Sequence, residues 1–146
     1  MEKPHEQNFS NHGRIVPAYH YGVFSIFTLN LAWSLYRVGR AFSVESVLSL
    51  LLAVAFLLLF LYARIFAITV QDRVIRLEMT LRLQQLLPPD LRARVNDFTV
   101  GQLVALRFAS DEELPNLARR VLVENLTDRK AIKTMIKHWK PDFLRA

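Results

Sequence analysis

The stretch that decides the fold is SVLSLLLAVAFLLLFLYA, residues 46–63. It contains no charged residue over 18 positions, close to the roughly 20 apolar residues that an α-helix needs to cross the hydrocarbon core of a bilayer. The apolar residues from Ile65 to Val70 can extend the helix beyond Arg64. We therefore predict a transmembrane helix over about residues 46–66.

A second uncharged run, IVPAYHYGVFSIFTLNLAWSLY, occupies the 22 positions 15–36 and is also long enough for one crossing. Polar side chains such as His20 and Asn30 make it only moderately hydrophobic, so one face is expected to pack against protein. Only residues 38–45 separate the two runs, which makes the two helices antiparallel neighbours. The first 70 residues therefore predict an N-terminal segment over 1–14 and a transmembrane hairpin over 15–70.

Positive charges next to the spans predict the orientation of the hairpin, because cytoplasmic flanks are enriched in Lys and Arg. The connection holds Arg37 and Arg40, whereas five basic residues lie near the other ends of the spans. These five are Lys3, Arg14, Arg64, Arg73 and Arg76. We expect both termini to lie in the cytoplasm.

The C-terminal half, residues 71–146, is predicted to be a soluble helical region. Residues 64–146 hold 15 of the 19 Lys and Arg and 10 of the 13 acidic residues. The second membrane helix is expected to continue outward along DRVIRLEMTLRLQQLL, with Ile75 and Met79 on one face, and to end at Pro88 and Pro89. The fold class is therefore all-α, a two-helix transmembrane hairpin followed by a small helical cytoplasmic region.

Several short helices are predicted within this region from their start signals. Asp90 and Thr99 are suited to the beginnings of two of them, and Ser110 with Glu113 forms an S-x-x-E capping box before a helix over 111–125. Thr127 or Asp128 opens a last helix, DRKAIKTMIKHW, which we expect Pro141 to close. Each helix is amphipathic and short, so each needs a covering surface.

The composition excludes several classes of chemistry. The chain has no cysteine, which rules out disulfides, cysteine-ligated metals and thiol nucleophiles. No arrangement of residues resembles a catalytic set, so we predict a protein that is not an enzyme and has no cofactor. The formal net charge of +6 raises the possibility of binding to anionic lipid or nucleic acid, of which lipid is the better candidate near a membrane.

Two sequence patterns resemble those of an uncharacterised bacterial family of two-span membrane proteins. The N-terminal pattern is Gln-Asn-x-x-Asn-His-x-Arg-x-x-Pro-x-x-His, and the C-terminal one is Ile-Lys-x-x-Ile-x-x-Trp-x-x-Asp. The matching positions are Gln7, Asn8, Asn11, His12, Arg14, Pro17 and His20, then Ile132, Lys133, Ile136, Trp139 and Asp142. The resemblance covers nearly the whole chain and implies a bacterial inner-membrane setting, without implying an activity.

Polar residues in and beside the first span are the candidates for ligand binding or packing. His12 and His20 are the possible cofactor ligands, because a neutral imidazole can bind a metal or haem iron axially. The more ordinary interpretation is that His20 and Asn11 form hydrogen bonds with the hairpin, the soluble region or headgroups, and His12 and Arg14 are further candidates for interaction or packing. Asn30 is expected to bond to the second helix or a partner subunit, since an unpaired amide in hydrocarbon is costly.

The soluble region offers two further candidate groups. Trp139 and Asp142 are candidates for packing or interaction. Lys130, Lys133, Lys137 and Lys140 could bind anionic lipid, although a solvated helix face is the simpler interpretation. Acidic residues at 111–113 fit the first turn of a helix better than a metal site.

Together these patterns predict a non-catalytic accessory or interaction subunit of a membrane complex or a homo-oligomer. One alternative is a membrane-tethered module that binds anionic lipid or nucleic acid. A second alternative is a cofactor-bearing subunit of an energy-converting complex with His20 as a ligand.

Overall fold

The computed structural model describes residues 8–9 and 15–142, and all regular elements in those residues are helical. The all-α prediction is therefore confirmed. A π-helical turn, Ala18–Val23, leads into α1, Phe24–Arg40, and a three-residue connection leads to α2, Val44–Leu86. The remaining elements are α3 (Pro89–Arg92), a 3₁₀ turn (Val95–Asp97), α4 (Val100–Leu106), α5 (Leu114–Val123) and α6 (Arg129–Thr134).

The chain divides into two compact units, and α2 begins in the first and ends in the second. We call residues 15–68 the N-terminal unit, and residues 8–9 with 69–142 the C-terminal unit. The apolar helix continues well beyond its uncharged stretch, as predicted, because α2 runs for 43 residues without a break. It ends before Pro88 and Pro89, as the sequence predicts.

Aromatic contacts pair α1 and α2 in antiparallel order within the N-terminal unit. The rings of Tyr19 and Phe60 stack with centroids 4.3 Å apart, and those of Phe27 and Phe56 lie 5.4 Å apart. At the connection, Arg37 forms an ion pair of 3.1 Å with Glu45. The two helices are therefore antiparallel.

Of the helices in the described residues, α2 is the one that is long and apolar enough to cross a membrane. Only 11 % of its most apolar 18-residue window is buried, which is unlike the core helix of a soluble domain. α1 has 17 residues and does not meet the same criterion alone. The crossing by α1, and with it the two-span hairpin, stays a prediction.

The C-terminal unit has a core built on one face of the last turns of α2. Ile75, Met79 and Leu83 on that face are buried, as the spacing of the first two predicts. They pack in one cluster with Phe108 and Val121, both of which have no exposed surface. The short helices thus cover one another's apolar faces, which none could bury alone.

Thr99 and Ser110, the two predicted capping residues, both form reciprocal capping bonds, and Thr99 is the N-cap of α4, whereas α5 begins three residues later than predicted. Thr99 accepts a hydrogen bond from the backbone of Gln102, whose side chain accepts one from the backbone of Thr99 at 2.7 Å. Ser110 and Glu113 exchange the same pair of bonds at 3.3 and 3.4 Å. The helix after Glu113, Leu114–Val123, is a few residues shorter than predicted.

The prediction for the last helix is wrong at its end. Asp128 does begin α6, through bonds to two backbone amides, but the helix stops at Thr134, well before Pro141. The chain then pairs with residues 108–110: Ser110 N–H donates to the carbonyl of His138, and Lys140 N–H to that of Phe108. These long-range backbone bonds replace the helical ones that local periodicity predicted.

Candidate functional site

Arg82, in the last turns of α2, is the centre of a polar cluster in the C-terminal unit. Its guanidinium donates to Asp111 Oδ1 at 2.7 Å, to the carbonyl of Arg107 at 3.0 Å and to the carbonyl of Ala109. The two carbonyls lie just beyond the end of α4, where backbone acceptors have no intrahelical donor. Arg82 therefore joins α2 to the end of α4 and to the start of the next turn.

Asp111 completes the cluster from the loop before α5. Lys140 Nζ lies 3.3 Å from Asp111 Oδ2, so one carboxylate is shared by two cations. The hydrogen bond from Arg82 is the main cause that holds the pKa of Asp111 below its ordinary value, with Lys140 adding to the effect. Both cations therefore favour the charged form of this carboxyl.

A second ion pair, Arg107–Asp142, lies beside this cluster. Arg107 Nε is 3.1 Å from Asp142 Oδ2, and the Arg107 side chain is only 9 % exposed. The Arg107 guanidinium lies 4.5 Å from the centroid of the Phe108 ring, and Trp139 packs on that ring at 4.9 Å. The structure thus brings together Trp139 and Asp142, the two predicted packing residues near the C-terminus.

A groove of about 490 Å³ borders both ion pairs and is lined by Glu78, Met79, Arg82, Arg107, Lys140, Pro141 and Asp142. Arg82, Arg107 and Lys140 each face a carboxylate within the unit. Their charges are therefore matched by the fold, which favours a structural network over a site for an external anion.

The four lysines do not form one basic helix face, because α6 ends between the second and the third. Lys140 pairs with Asp111, and Lys133 Nζ lies 5.2 Å from the centroid of the Phe108 ring. Lys130 and Lys137 are exposed. A concavity of about 520 Å³ lined by Phe9 and residues 127–130 with Lys133 lies beside this segment.

His20 lies in the π-helical turn, where its Nδ1 atom is 3.0 Å from the carbonyl oxygen and 3.1 Å from the amide nitrogen of Val16. One ring nitrogen is therefore engaged by the backbone. The neighbouring Tyr19 hydroxyl donates to the carbonyl of Phe60 at 2.6 Å, joining this turn to α2. Within the described residues, no group of three or more His, Asp or Glu side chains could hold a metal ion.

Asn30 is exposed on α1 and accepts a hydrogen bond of 3.4 Å from Ser34, on the same helix. Its described contact is thus along α1 rather than to α2, while a bond to a partner subunit stays a prediction. The candidates Asn11, His12 and Arg14 lie outside the described residues.

An exposed apolar stripe on α2 is the feature that the sequence patterns missed. Val70, Val74, Leu77 and Leu81 are 61, 48, 62 and 51 % exposed, although charged residues interleave with them. All four belong to the C-terminal unit, beyond the most apolar part of the helix. The buried residues Ile75, Met79 and Leu83 alternate with them along the chain, which hides the stripe from a search for one amphipathic face.

The fold defines an all-helical protein with a helix of membrane-spanning length and a C-terminal helical unit held by ion pairs. The chain belongs to a family of unknown function, DUF6526, whose model matches residues 1–146. Comparison with curated proteins and with solved structures found no match.

Proposed function

We propose that the protein is an integral protein of a bacterial inner membrane, in which α1 and α2 both cross the bilayer and the C-terminal unit lies in the cytoplasm. The exposed apolar surface of α2 carries this proposal. Leu51, Leu52 and Leu59 are 55–64 % exposed, a pattern that costs free energy in water and none in hydrocarbon.

The contacts between α1 and α2 support a second crossing. Away from the helix ends, the backbone groups of a helix are bonded within it, which a spanning segment requires. The π-helical turn and α1 together run from Ala18 to Arg40, about the length of one crossing. Polar groups turn inward or along the helix, as in the buried Ser34 and the bond from Tyr19 to α2.

The C-terminal unit then acts as a non-catalytic interaction module of a membrane complex or a homo-oligomer. Arg82, Arg107 and Lys140 each face a carboxylate within the unit, and these ion pairs join distant parts of the chain rather than lining a reactive centre. What the unit leaves uncovered is the apolar stripe on α2, which is typical of a protein-binding surface.

The absence of cysteine from the chain allows a direct test of the topology. Two exposed residues are suitable sites for a single cysteine. Phe42, in the connection between α1 and α2, is 83 % exposed, and Val123, in the C-terminal unit, is 73 % exposed. We expect a membrane-impermeant maleimide to label Phe42→Cys in intact spheroplasts and Val123→Cys only after lysis. Labelling of both from the same side, or release of the protein by alkaline carbonate, would contradict the proposal.

Purification of the tagged protein from its own membranes in mild detergent tests the interaction role. Stoichiometric partners or a homo-oligomer are expected, and a lone monomer in every mild detergent would count against the role. The visible spectrum of the same sample tests His20 as a cofactor ligand, which predicts an absorption band.

Anionic lipid is the second candidate partner, favoured by the exposure of Lys130 and Lys137. Tight association with acidic lipids would support this role if salt disrupts it and if the double substitution Lys130→Gln and Lys137→Gln weakens it. Equal retention of neutral and acidic lipids by the purified protein would exclude it.

A further inference from the structure

We infer that the apolar stripe on α2 is the contact between two copies of this chain, which associate side by side and in parallel through residues 70–81. The inference rests on the proposed membrane topology, which gives two copies the same orientation. It assigns a partner to a surface that the C-terminal unit leaves uncovered.

The stripe has the spacing of a two-stranded coiled coil. Val70, Val74, Leu77 and Leu81 follow one another at intervals of four, three and four residues, as the d and a positions of consecutive heptads do. At 100° per residue, the four side chains lie within about 60° of one another around the helix. Ile75, Met79 and Leu83 point to roughly the opposite side, where they are buried in the unit's own core.

The residues beside the stripe favour a second copy over an unrelated partner, because they are complementary to themselves. Arg73 occupies the g position before Val74, and Glu78 occupies the e position after Leu77. In a parallel pair, the g residue of one helix faces the e residue five positions later on the other. Two symmetric Arg73–Glu78 pairs would therefore flank the apolar contact.

An antiparallel pair that aligns the same stripe would instead place Arg73 beside Thr80 and Glu78 beside Gln71, so that neither charge meets an opposite charge. Arg73 and Glu78 are both exposed, and neither takes part in an ion pair among the described residues. They are thus available for the contact. Charge and membrane topology both favour the parallel arrangement.

The area of the stripe fits an association that needs the membrane. Multiplying the exposed fractions by the full area of valine or leucine gives roughly 400 Å² per copy, about half of what each partner buries in a standard interface. Such a contact is weak between molecules free in solution. Confinement to one bilayer raises the effective concentration, so that a small contact is sufficient for a reversible dimer.

Disulfide crosslinking of the full-length protein in its membrane tests this contact. Leu77→Cys and Val74→Cys place a thiol at the axis of the predicted pair, where the two Cα atoms fall within disulfide range. Arg76→Cys, on the same helix and also exposed, is the matched control, because its partner lies out of that range. With an added oxidant, we expect homodimer from the first two variants and little from the control.

Charge reversal in the Leu77→Cys background tests the pairing. Arg73→Glu and Glu78→Arg should each lower the dimer fraction about fivefold, and the two together should restore it. An equal dimer fraction in the two single charge variants, the double variant and the Leu77→Cys parent would overturn the parallel register. Equal crosslinking at positions 76 and 77, crosslinking to a different protein, or none at 74 and 77 would overturn the dimer itself.

Carbonate extraction of the same samples separates this inference from the proposed function. Protein that stays in the carbonate-resistant membrane fraction but does not crosslink at 74 or 77 refutes the dimer alone. Protein that carbonate releases refutes the membrane topology, whatever its crosslinking.

Discussion

Replacing Arg82 by methionine removes the cation that joins α2 to the end of α4 and keeps the apolar stem and the helix propensity. Arg82 contacts three oxygen acceptors, the Asp111 carboxylate and the carbonyls of Arg107 and Ala109, and its side chain is only 16 % exposed. The methionine thioether has no donor hydrogen, so it replaces none of the three hydrogen bonds to these acceptors.

The expected loss follows from the three bonds. Hydrogen bonds from a charged donor contribute more than neutral ones, but Asp111 is half exposed and keeps Lys140, and the carbonyls can recruit water. Allowing about 1 kcal/mol for each bond, Arg82→Met should lower the free energy of unfolding of the C-terminal unit by about 3 kcal/mol.

Arg94→Met is the matched control, because Arg94 pairs with Asp97 at 2.9 Å while both side chains are about half exposed. Such surface pairs contribute at most about 1 kcal/mol. The difference between the two variants thus isolates the buried network from the loss of an arginine.

Denaturation of the full chain in detergent micelles by guanidinium, followed by the fluorescence of Trp139, measures both losses. The chain has two tryptophans, so a Trp33→Phe background leaves Trp139, which packs on Phe108, as the reporter of this unit. Equal destabilisation by Arg82→Met and Arg94→Met would refute the view that Arg82 holds the unit together.

Three further predictions concern the same unit. Asp111→Asn should lower the denaturation midpoint at neutral pH. Because folding lowers the pKa of this carboxyl from 3.8, the difference from the native protein should shrink as the pH falls below that value and the native carboxylate is protonated. A difference that does not change with pH would contradict this reasoning. Thr99→Ala removes the capping box of α4 and should cost about 1 kcal/mol in the same unfolding assay, against almost nothing for the exposed Thr134→Ala. Asn125→Gly should leave the midpoint unchanged or raise it slightly, since Asn125 has a φ of 47°, which glycine adopts without steric cost, and a clear fall would show that its side chain is needed there.

Local signals in the sequence were sufficient for the start of α4 and for the turn that precedes α5. The bonds of Thr99 with Gln102 and of Ser110 with Glu113 form between residues three apart, so their geometry depends on little else. The end of α2 was equally local, because Pro88 and Pro89 break a helix in any context.

Long-range contacts account for what the sequence did not predict. Ile132 and Ile136 have helical spacing, and both are buried, but backbone pairing of 138–140 with 108–110 takes the chain out of the helix after Thr134. No pattern within ten residues of that point specifies those partners. The same is true of Arg82, whose acceptors lie 25 to 29 residues further along.

The apolar stripe on α2 was not predicted from the sequence for a different reason. The segment 70–83 alternates between residues that the unit buries and residues that it exposes, so its apolar positions face two ways and the helical periodicity cancels. The apolar residues of such a segment can be divided into a buried and an exposed face only when the residues that pack against the buried face are known.

The ion pairs of Lys140 and Asp142 also determine when the C-terminal unit can complete its contacts during synthesis. Arg82 is synthesised well before the Lys140 that shares its carboxylate partner and the Asp142 that pairs with Arg107. Roughly 60 residues separate Arg82 from Asp142, which corresponds to about 3 to 12 s of translation. Until then Phe108 lacks the Trp139 ring that packs on it, so a chain that stops before Trp139 should expose this apolar surface to proteases.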